Sequence, residues 1–483
     1  MRTSTPECII TENLVLEFNS QYGKLFFNSV FSGGAYTFLL NLSKQHPVII
    51  INPCVDYNSV SSFALQYLFK GEKQEVTIDN LDFIFKQLEL TEININHLIY
   101  VRSIDLCIDF ILEMKHKYNL EINIYLHDFY SVCPSVNLLN YKKEFCNLPS
   151  DSLCNGCLEK YDNPVNTLSF NKAEVLRVAT LHKSNIVVWR GMWRKLFDQA
   201  SKFILPSDAA AKLWKKAFPE YANDVTILQH DLSYLSTICR HENAVMLPFY
   251  QVYVIGDIGE HKGSVIVHEI LELIKLNKLN ICINVIGDYV DSEFQNTPYL
   301  KLHGRFNHDD IANVLNAKEI NCFLMPSICP ETFSYVTQEM MATGLPIITF
   351  NLGGQAQFIS GYIHGSVVQS VNSILMFNEL EHLFNEHRNN YYSMLQFNLP
   401  INEHEELSKF VRIYELLVLE NEEMYIHRKR EILNYERLIL QLEQVLESQK
   451  QIQQELLGVY QSQSWKITKP LRELMLLLKK FRK

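Results

Sequence analysis

The feature that most constrains the fold is an alternation of short apolar runs with longer mixed segments. The runs are rich in β-branched and aromatic residues, and the segments between them are long enough for helices. Continuous apolar strands separated by helices are typical of parallel sheets covered on both faces. We therefore predict an α/β fold with two Rossmann-like, doubly wound domains. The predicted strands are 48–52, 97–101, 122–128, 202–207 and 225–228 in the first domain, and 251–256, 280–287, 301–304, 321–327 and 345–351 in the second.

The chain is long enough for more than one domain. Its 483 residues exceed an ordinary single core, and its 47% apolar and 20% charged residues are typical of a globular protein. We expect the first domain at 1–244 and the second at 245–401. After residue 402 the apolar residues follow a heptad-like spacing, and no proline occurs before Pro470. Residues 402–483 are therefore predicted as a long helix or coiled coil, through which two copies of the chain could pair.

Charge and cysteine usage limit the class of protein. A net charge of -10 argues against nucleic acid as the main partner. The beginning of the sequence lacks the basic stretch and apolar core of a signal peptide, and no apolar run approaches the length of a spanning helix. The eleven cysteines are mostly scattered singly, which is typical of a reducing compartment. We expect a cytoplasmic protein.

Two glutamates stand out in the stretch PETFSYVTQEMMATGLPIITFNLGG, residues 330–354. Glu331 follows the predicted strand 321–327, and Glu339 lies further on, in a helix expected to start around Thr332 to Phe333. Ligands of open α/β sheets bind at the carboxyl ends of strands, and a helix N-terminus favours anions. On spacing alone, however, an ordinary loop carboxylate and a solvated helix residue are the better interpretation.

The surrounding sequence changes that interpretation. Residues 326–354 resemble the signature of glycosyltransferase family 4, in which a proline-serine pair, two glutamates and a Gly-Gly pair follow a strand. Further segments resemble this family in the same order: FSGGAYTFLL (31–40), GDIGEHKG (256–263), VIGD (285–288) and LHGRF (302–306). The resemblance implies the GT-B architecture, with two domains facing across a cleft that binds a nucleotide-sugar. It also implies retained anomeric configuration and no catalytic metal.

The resemblance assigns roles to individual residues. Glu331 would contact the donor sugar, and Glu339 would contact the ribose. Lys262 would stabilise the departing diphosphate, and His127 would lie against the transferred sugar. The backbone would approach or bind the donor at Gly33, Gly34, Thr332, Phe333 and Ser334.

Two positions depart from the family pattern. Asp257 stands where the family often has an arginine, and Arg305 is our candidate substitute. Ser334 stands where the family usually has a glycine. These departures leave open the identity of the donor and the contacts to its phosphates.

A cluster of cysteines falls in a segment with few strand or helix signals. Four cysteines that end in a C-x-x-C pair suggest four thiolates on one structural zinc. The alternatives are an iron–sulfur cluster, a redox pair or free thiols. The cluster consists of Cys133, Cys146, Cys154 and Cys157.

The last segment, residues 462–483, is basic and amphipathic and contains Trp465. This pattern suits an anionic membrane surface, although a terminal helix packed on the enzyme or in an oligomer has the same pattern. The segment also resembles the endings of bacterial surface-polysaccharide glycosyltransferases. We therefore expect a hexosyl- or deoxyhexosyltransferase that acts on a lipid-linked glycan at the inner face of the cell membrane. The alternatives are another GT-B enzyme, such as a nucleotide-sugar epimerase or a phosphorylase, and a non-catalytic scaffold.

Overall fold

The computed structural model describes residues 12–29, 33–55, 60–78, 81–99, 101, 103–160, 185–241, 249–289, 297–306, 310–316 and 319–398. The chain divides into two compact units, Met1–Tyr391 and Tyr392–Lys483. The first unit contains both β-sheets. In the second unit, the described residues are the end of one helix. The predicted coiled coil and basic segment, 402–483, lie outside the described residues.

The first sheet has the strand order β4-β3-β2-β1-β5-β6-β7-β8. Strands β1, β2 and β5 to β8 are parallel, whereas β3 and β4 add an antiparallel edge. The strands are β1 (Lys24–Asn28), β2 (Val48–Val55), β3 (Val60–Phe69), β4 (Glu72–Ile78), β5 (Glu92–His97), β6 (Glu121–Tyr125), β7 (Lys202–Leu205) and β8 (Val225–Ile227). The helices are α1 (Glu12–Ser20), α2 (Gly33–Ser43), α3 (Asp82–Gln87), α4 (Ile104–Tyr118), α5 (Asp151–Glu159), α6 (Ile186–Phe197) and α7 (Asp208–Ala217).

The second sheet has the strand order β11-β10-β9-β12-β13-β14, and its described strand pairs are all parallel. Its strands are β9 (Tyr250–Ile255), β10 (Ile281–Ile286), β11 (Leu300–Leu302), β12 (Cys322–Met325), β13 (Ile347–Phe350) and β14 (Gly365–Val368). Its helices are α8 (Ser264–Leu276), α9 (Ile311–Asn316), α10 (Tyr335–Ala342), α11 (Gly353–Ser360) and α12 (Ser373–Asn398).

The burial of the strands agrees with sheets that are covered on both faces. Every residue of β9, β10, β12 and β13 is buried. In each sheet the chain first winds outward from a central strand and then continues on that strand's other side. These switch points lie between β1 and β5 and between β9 and β12, where open α/β sheets bind ligands. The predicted fold class, two Rossmann-like α/β domains, is confirmed.

The structure corrects several local predictions. The strand predicted at 97–101 is in fact β5, Glu92–His97. Its inward-facing Asn94 and Asn96 hid it, because buried asparagines break an apolar run. They are tolerated because Asn94 donates a hydrogen bond to the Leu25 carbonyl at 3.1 Å and Asn96 donates to the Asn28 side chain at 2.9 Å. The antiparallel pair β3 and β4 was not predicted, and the helix expected from Thr332 or Phe333 begins at Tyr335.

Two further expectations meet the limits of the described chain. The first sheet ends at Ile227 and the second begins at Tyr250, but the predicted boundary at 244/245 lies outside the described residues. It stays a prediction. Of the helices in the described ranges, none is both long and apolar enough to cross a bilayer.

Candidate active site

A cavity of about 650 Å³ lies at the carboxyl ends of strands from both sheets. On the side of the first sheet its wall includes Gly33, Gly34 and the residues after β5, β6 and β8. On the side of the second sheet its wall includes the loops after β9 and β12. Both switch points therefore open onto one cavity, which is where this topology places a ligand.

Lys262 and Glu331 form an ion pair in the wall of this cavity. The distance from Lys262 Nζ to Glu331 Oε1 is 2.5 Å, and the Ser327 hydroxyl donates a hydrogen bond to the same oxygen at 2.8 Å. The Lys262 side chain is 32% exposed and that of Glu331 is 12% exposed. Burial works to raise the pKa of Glu331, but the charge and hydrogen bond of Lys262 outweigh it and lower that pKa. Burial works to lower the pKa of Lys262, but the charge and hydrogen bond of Glu331 have the larger effect and raise that pKa. Both groups are therefore charged at neutral pH.

The turn that carries Lys262 is fixed by a glycine. Lys262 ends a short 3-10 turn, Glu260–Lys262, and Gly263 follows it with a φ of +83°. A Cβ at Gly263 would lie 2.1 Å from the carbonyl oxygen of Pro326, next to the end of β12. Only glycine allows this approach. The glycine after the lysine thus brings Lys262 to the loop that carries Glu331.

The Gly-Gly pair and Gln355 hold the Glu331 loop from the other side. A Cβ at Gly353 would lie 2.6 Å from the backbone nitrogen of Glu331. The Gly354 amide donates a hydrogen bond to the Glu331 carbonyl at 2.7 Å. Gln355 accepts a hydrogen bond from the Glu331 amide and donates one to the Cys329 carbonyl, both at 2.9 Å. The start of α11 therefore fixes the backbone on both sides of the carboxylate. The sequence analysis did not identify Gln355.

The residues after Glu331 lead into helix α10 and carry two amides without a backbone partner among the described residues. Ser334 has a left-handed conformation with φ of +75°, which glycine would adopt without strain, and its side chain caps α10 by accepting from Thr337. Within the described residues, the amides of Phe333 and Ser334 donate no backbone hydrogen bond. Both residues line the cavity. Their amides are therefore candidate donors to an oxygen ligand near the start of α10.

Thr332 joins the two domains. Its hydroxyl donates a hydrogen bond to the His127 carbonyl at 2.7 Å, and its own carbonyl accepts one from the Ser207 hydroxyl at 2.6 Å. A second connection comes from the cysteine-containing loop. There Phe145 packs against the cores of both sheets, and Lys143 pairs with Glu260 in the turn that carries Lys262.

Three histidines line the first-domain side of the cavity. His97 Nε2 lies 3.2 Å from Asp128 Oδ2, and the rings of His127 and His230 are 5.1 Å apart. Burial, followed by the neighbouring His230 and His97, holds the pKa of His127 well below its usual value. His127 and His230 are therefore neutral at pH 7. The sequence analysis identified His127 but not His97 or His230, whose only signal is their position at or just after a strand end.

Two predicted site residues do not line the cavity. Glu339 is fully buried and accepts a hydrogen bond from the Tyr234 hydroxyl at 2.7 Å. A ribose contact at Glu339 would require the Tyr234 side chain to move, so that role stays a prediction. Arg305 pairs with Asp288 at 2.5 Å, and its side chain is 75% exposed. Asp257, by contrast, does line the cavity. The structure thus collects Lys262, Glu331, His127, Gly33, Gly34 and residues 332–334 at one place.

The four cysteines of the predicted zinc site are free thiols of intermediate burial, and two of them lie in α5. Burial raises the pKa of the Cys133 thiol to about 11. In the part of the chain that the structure describes, no group of three or more His, Cys, Asp or Glu side chains is arranged to hold a metal ion. The zinc site therefore stays a prediction. The four residues are Cys133, Cys146, Cys154 and Cys157.

Two doubly wound α/β sheets that share one cavity at their strand ends define the GT-B class of architecture. Residues 242–393, less than half of the chain, match the family model "Glycosyl transferases group 1". This part of the chain is therefore similar to group 1 glycosyltransferase domains.

Comparison with solved structures gives distant similarities. HepE from Anabaena, solved with UDP and glucose, is 12% identical at a TM-score of 0.46, with 80% of this chain and 98% of that chain covered. The catalytic domain of starch synthase IV from Arabidopsis thaliana, bound to ADP and acarbose, is 10% identical at a TM-score of 0.44, with 81% and 98% covered. Sucrose-phosphate synthase from Thermosynechococcus elongatus is 12% identical at 0.46, with 82% and 99% covered. No curated protein matches the sequence significantly.

Proposed function

We propose that the chain is a retaining glycosyltransferase of family 4, which transfers a hexosyl or deoxyhexosyl group from a nucleotide-sugar to a glycan acceptor. The observation that carries this proposal is the Lys262–Glu331 pair, which lines the same cavity as His127, with residues of both domains in its wall. A nucleotide-sugar needs a cation for its diphosphate and hydrogen-bonding groups for its sugar hydroxyls. The cavity offers both.

In the proposed mechanism the donor replaces the ion pair. Lys262 turns to the diphosphate and stabilises the negative charge that develops as the bond to the sugar breaks. Glu331 accepts hydrogen bonds from the sugar hydroxyls. The amides of Phe333 and Ser334 donate to the phosphate or the sugar, while neutral His127 contacts the sugar from the other wall. The departing diphosphate takes the proton of the acceptor hydroxyl, so the new bond forms on the face that the old bond leaves. No side-chain nucleophile is assigned.

The acceptor and the location belong to the same proposal. The basic amphipathic segment 462–483 supports binding to an anionic membrane surface, and hence a lipid-linked acceptor in surface-polysaccharide synthesis at the inner face of the cell membrane. The heptad-like spacing after residue 402 supports pairing of two chains through a coiled coil. These features lie outside the described residues, and their support comes from the sequence.

A donor-turnover assay tests the enzyme activity. The purified chain is incubated with UDP-, GDP-, ADP- and dTDP-sugars, with and without a lipid-linked glycan fraction, and the release of nucleoside diphosphate is measured. We expect release from one donor that increases when acceptor is added. NMR of the product is expected to show the anomeric configuration of the donor. Conversion of a nucleotide-sugar without acceptor would instead indicate an epimerase. Turnover of none of these donors would contradict the proposal.

A further inference from the structure

His230 is a buried histidine in the cavity wall to which no role has yet been given. It follows β8, is 7% exposed and lines the cavity. In the described part of the chain, neither of its ring nitrogens has a hydrogen-bond partner. A buried side chain with two unpartnered polar atoms is rare, because each such atom loses its hydrogen bond to water.

The position of the ring is fixed by aromatic contacts from both domains. Its centroid lies 4.4 Å from that of Phe333 and 5.0 Å from that of Tyr335 on the second-domain side. On the first-domain side it lies 5.2 Å from Phe38 and 5.1 Å from His127. A phenylalanine would make the same contacts without burying two unsatisfied nitrogens. Packing alone therefore does not account for a histidine here.

The electrical state of the ring narrows the class of ligand. Burial lowers the pKa of His230 to about 4, so the ring is neutral at pH 7. A neutral imidazole has one donor and one acceptor nitrogen. That pair matches a hydroxyl group, which both donates and accepts. A phosphate would be better served by the cationic Lys262, which lines the same cavity.

The neighbours of His230 suit a sugar ring. Phe333 is two residues beyond Glu331, and Thr332, between them, is hydrogen-bonded to the His127 carbonyl. His127 Nε2 is also buried and, within the described residues, without a hydrogen-bond partner. The rings of His127 and His230 are 5.1 Å apart, so two neutral imidazoles could hydrogen-bond adjacent hydroxyls of one sugar ring. The aromatic rings of Phe333 and Tyr335 could pack against C–H groups of the same sugar.

We infer that His230 is a specificity-determining residue that hydrogen-bonds a hydroxyl group of the transferred sugar, beside His127. This inference rests on the proposed glycosyltransferase function and deepens it. It requires that His230 recognise the sugar and not the nucleotide.

The test compares two kinds of ligand, nucleotide-sugars and nucleoside diphosphates, on two proteins. Native chain and His230→Phe are titrated calorimetrically with UDP-glucose, UDP-N-acetylglucosamine, GDP-mannose, ADP-glucose and dTDP-rhamnose, and with the matching nucleoside diphosphates. For the donor that the native chain binds, we expect His230→Phe to weaken binding about tenfold, the typical effect of one hydrogen bond. Affinity for the nucleoside diphosphate should be unchanged. Thermal stability should be equal or higher, because the phenylalanine leaves no polar atom unsatisfied.

Two further variants sharpen the comparison. His230→Asn retains a donor and an acceptor, and we expect it to recover part of the lost affinity. His364→Phe is the matched control, because His364 is exposed and does not line the cavity, and it should bind like the native chain.

The outcomes separate this inference from the function on which it rests. If the native chain binds none of these nucleotide-sugars, the proposed function is wrong and the inference falls with it. If the native chain binds a donor and His230→Phe binds it equally well, the function stands but His230 only packs. Equal loss of affinity for the nucleotide-sugar and its nucleoside diphosphate would also overturn the inference, since His230 would then not recognise the sugar.

Discussion

Replacing Lys262 and Glu331 singly and together measures the free energy of coupling between their two charges. The variants are Lys262→Met and Glu331→Gln, which keep the side-chain size and remove the charge. At 2.5 Å and an effective dielectric constant of about 20, the attraction between the two charges is about 6–7 kcal/mol. Desolvation of both ions offsets most of this attraction. The pair as a whole therefore adds little stability, but either charge left alone destabilises the fold.

The burial of each partner sets the size of the effect. Lys262→Met leaves Glu331, 12% exposed, without its cation, so we expect a loss of about 2–3 kcal/mol in the free energy of unfolding. Glu331→Gln leaves Lys262, which is 32% exposed and can turn to solvent, so the expected loss is about 1–2 kcal/mol. The double variant buries no unpaired charge. Its loss should be smaller than the sum of the two single losses by about 2 kcal/mol.

The dependence on pH follows from the two pKa shifts. The pKa of Glu331 is lowered from about 4.5, so its contribution is present above that value and is lost as pH falls through the lowered pKa. The pKa of Lys262 is raised from about 10.5, so its contribution is present below that value and is lost as pH rises through the raised pKa. The coupling should therefore be constant around pH 7 and disappear in acid.

Urea unfolding followed by far-UV circular dichroism, which reports on both sheets, is the assay. The four proteins are compared at pH 7 and again in acid. If the loss of unfolding free energy in the double variant equals the sum of the two single losses within about 0.5 kcal/mol at pH 7, the reasoning is refuted, because independent residues behave in that way.

Three further predictions concern separate parts of the chain. Gly353→Ala places a Cβ 2.6 Å from the Glu331 backbone at a φ of +54°, so it should destabilise the fold by about 2–4 kcal/mol and weaken donor binding. The control Gly361→Ala, with φ of -92° and its nearest contact at 3.7 Å, should change neither stability nor binding. Equal melting temperatures of the two variants would contradict this prediction. Elemental analysis of untagged protein should find about one zinc per chain. The zinc should be lost in Cys154→Ser but retained in the control Cys239→Ser, which replaces an exposed cysteine. Finding neither zinc nor iron would indicate free thiols. Removal of residues 462–483 should abolish binding to anionic vesicles but not to soluble donor, since each basic residue near such a surface adds about 1 kcal/mol to the binding free energy. If the full-length protein does not bind these vesicles at low salt, the segment is instead a protein-binding helix.

The strands of the second sheet were largely predictable because each is a short, mainly apolar segment. Strand β12 is an unbroken apolar run, and β9, β10 and β13 contain only one polar residue each. All four strands lie in fully buried positions. Strand β5 escaped because Asn94 and Asn96 are buried among hydrogen-bond partners that only the folded sheet supplies. A polar residue in a core cannot be recognised until its partner is known.

The candidate site divides in the same way. Lys262 and Glu331 stand in local motifs, so their meeting could be anticipated from the strand ends that carry them. The covering of Glu339 by Tyr234 could not, because these residues are 105 positions apart in sequence. His230 likewise belongs to no local motif and owes its place to packing between elements distant in sequence. Gln355 directly follows the Gly-Gly pair, but its hydrogen bonds to the Glu331 loop could not be read from the sequence.

The central claim is that the cavity between the two sheets receives a nucleotide-sugar whose diphosphate binds Lys262. Calorimetric titration of the native chain and of Lys262→Ala with nucleotide-sugars, and with the corresponding free sugars as controls, tests it most directly. The account predicts saturable one-to-one binding of at least one nucleotide-sugar, no measurable binding of the free sugar, and at least tenfold weaker binding in Lys262→Ala. Absence of binding by the native chain, or equal affinity in Lys262→Ala, would contradict it.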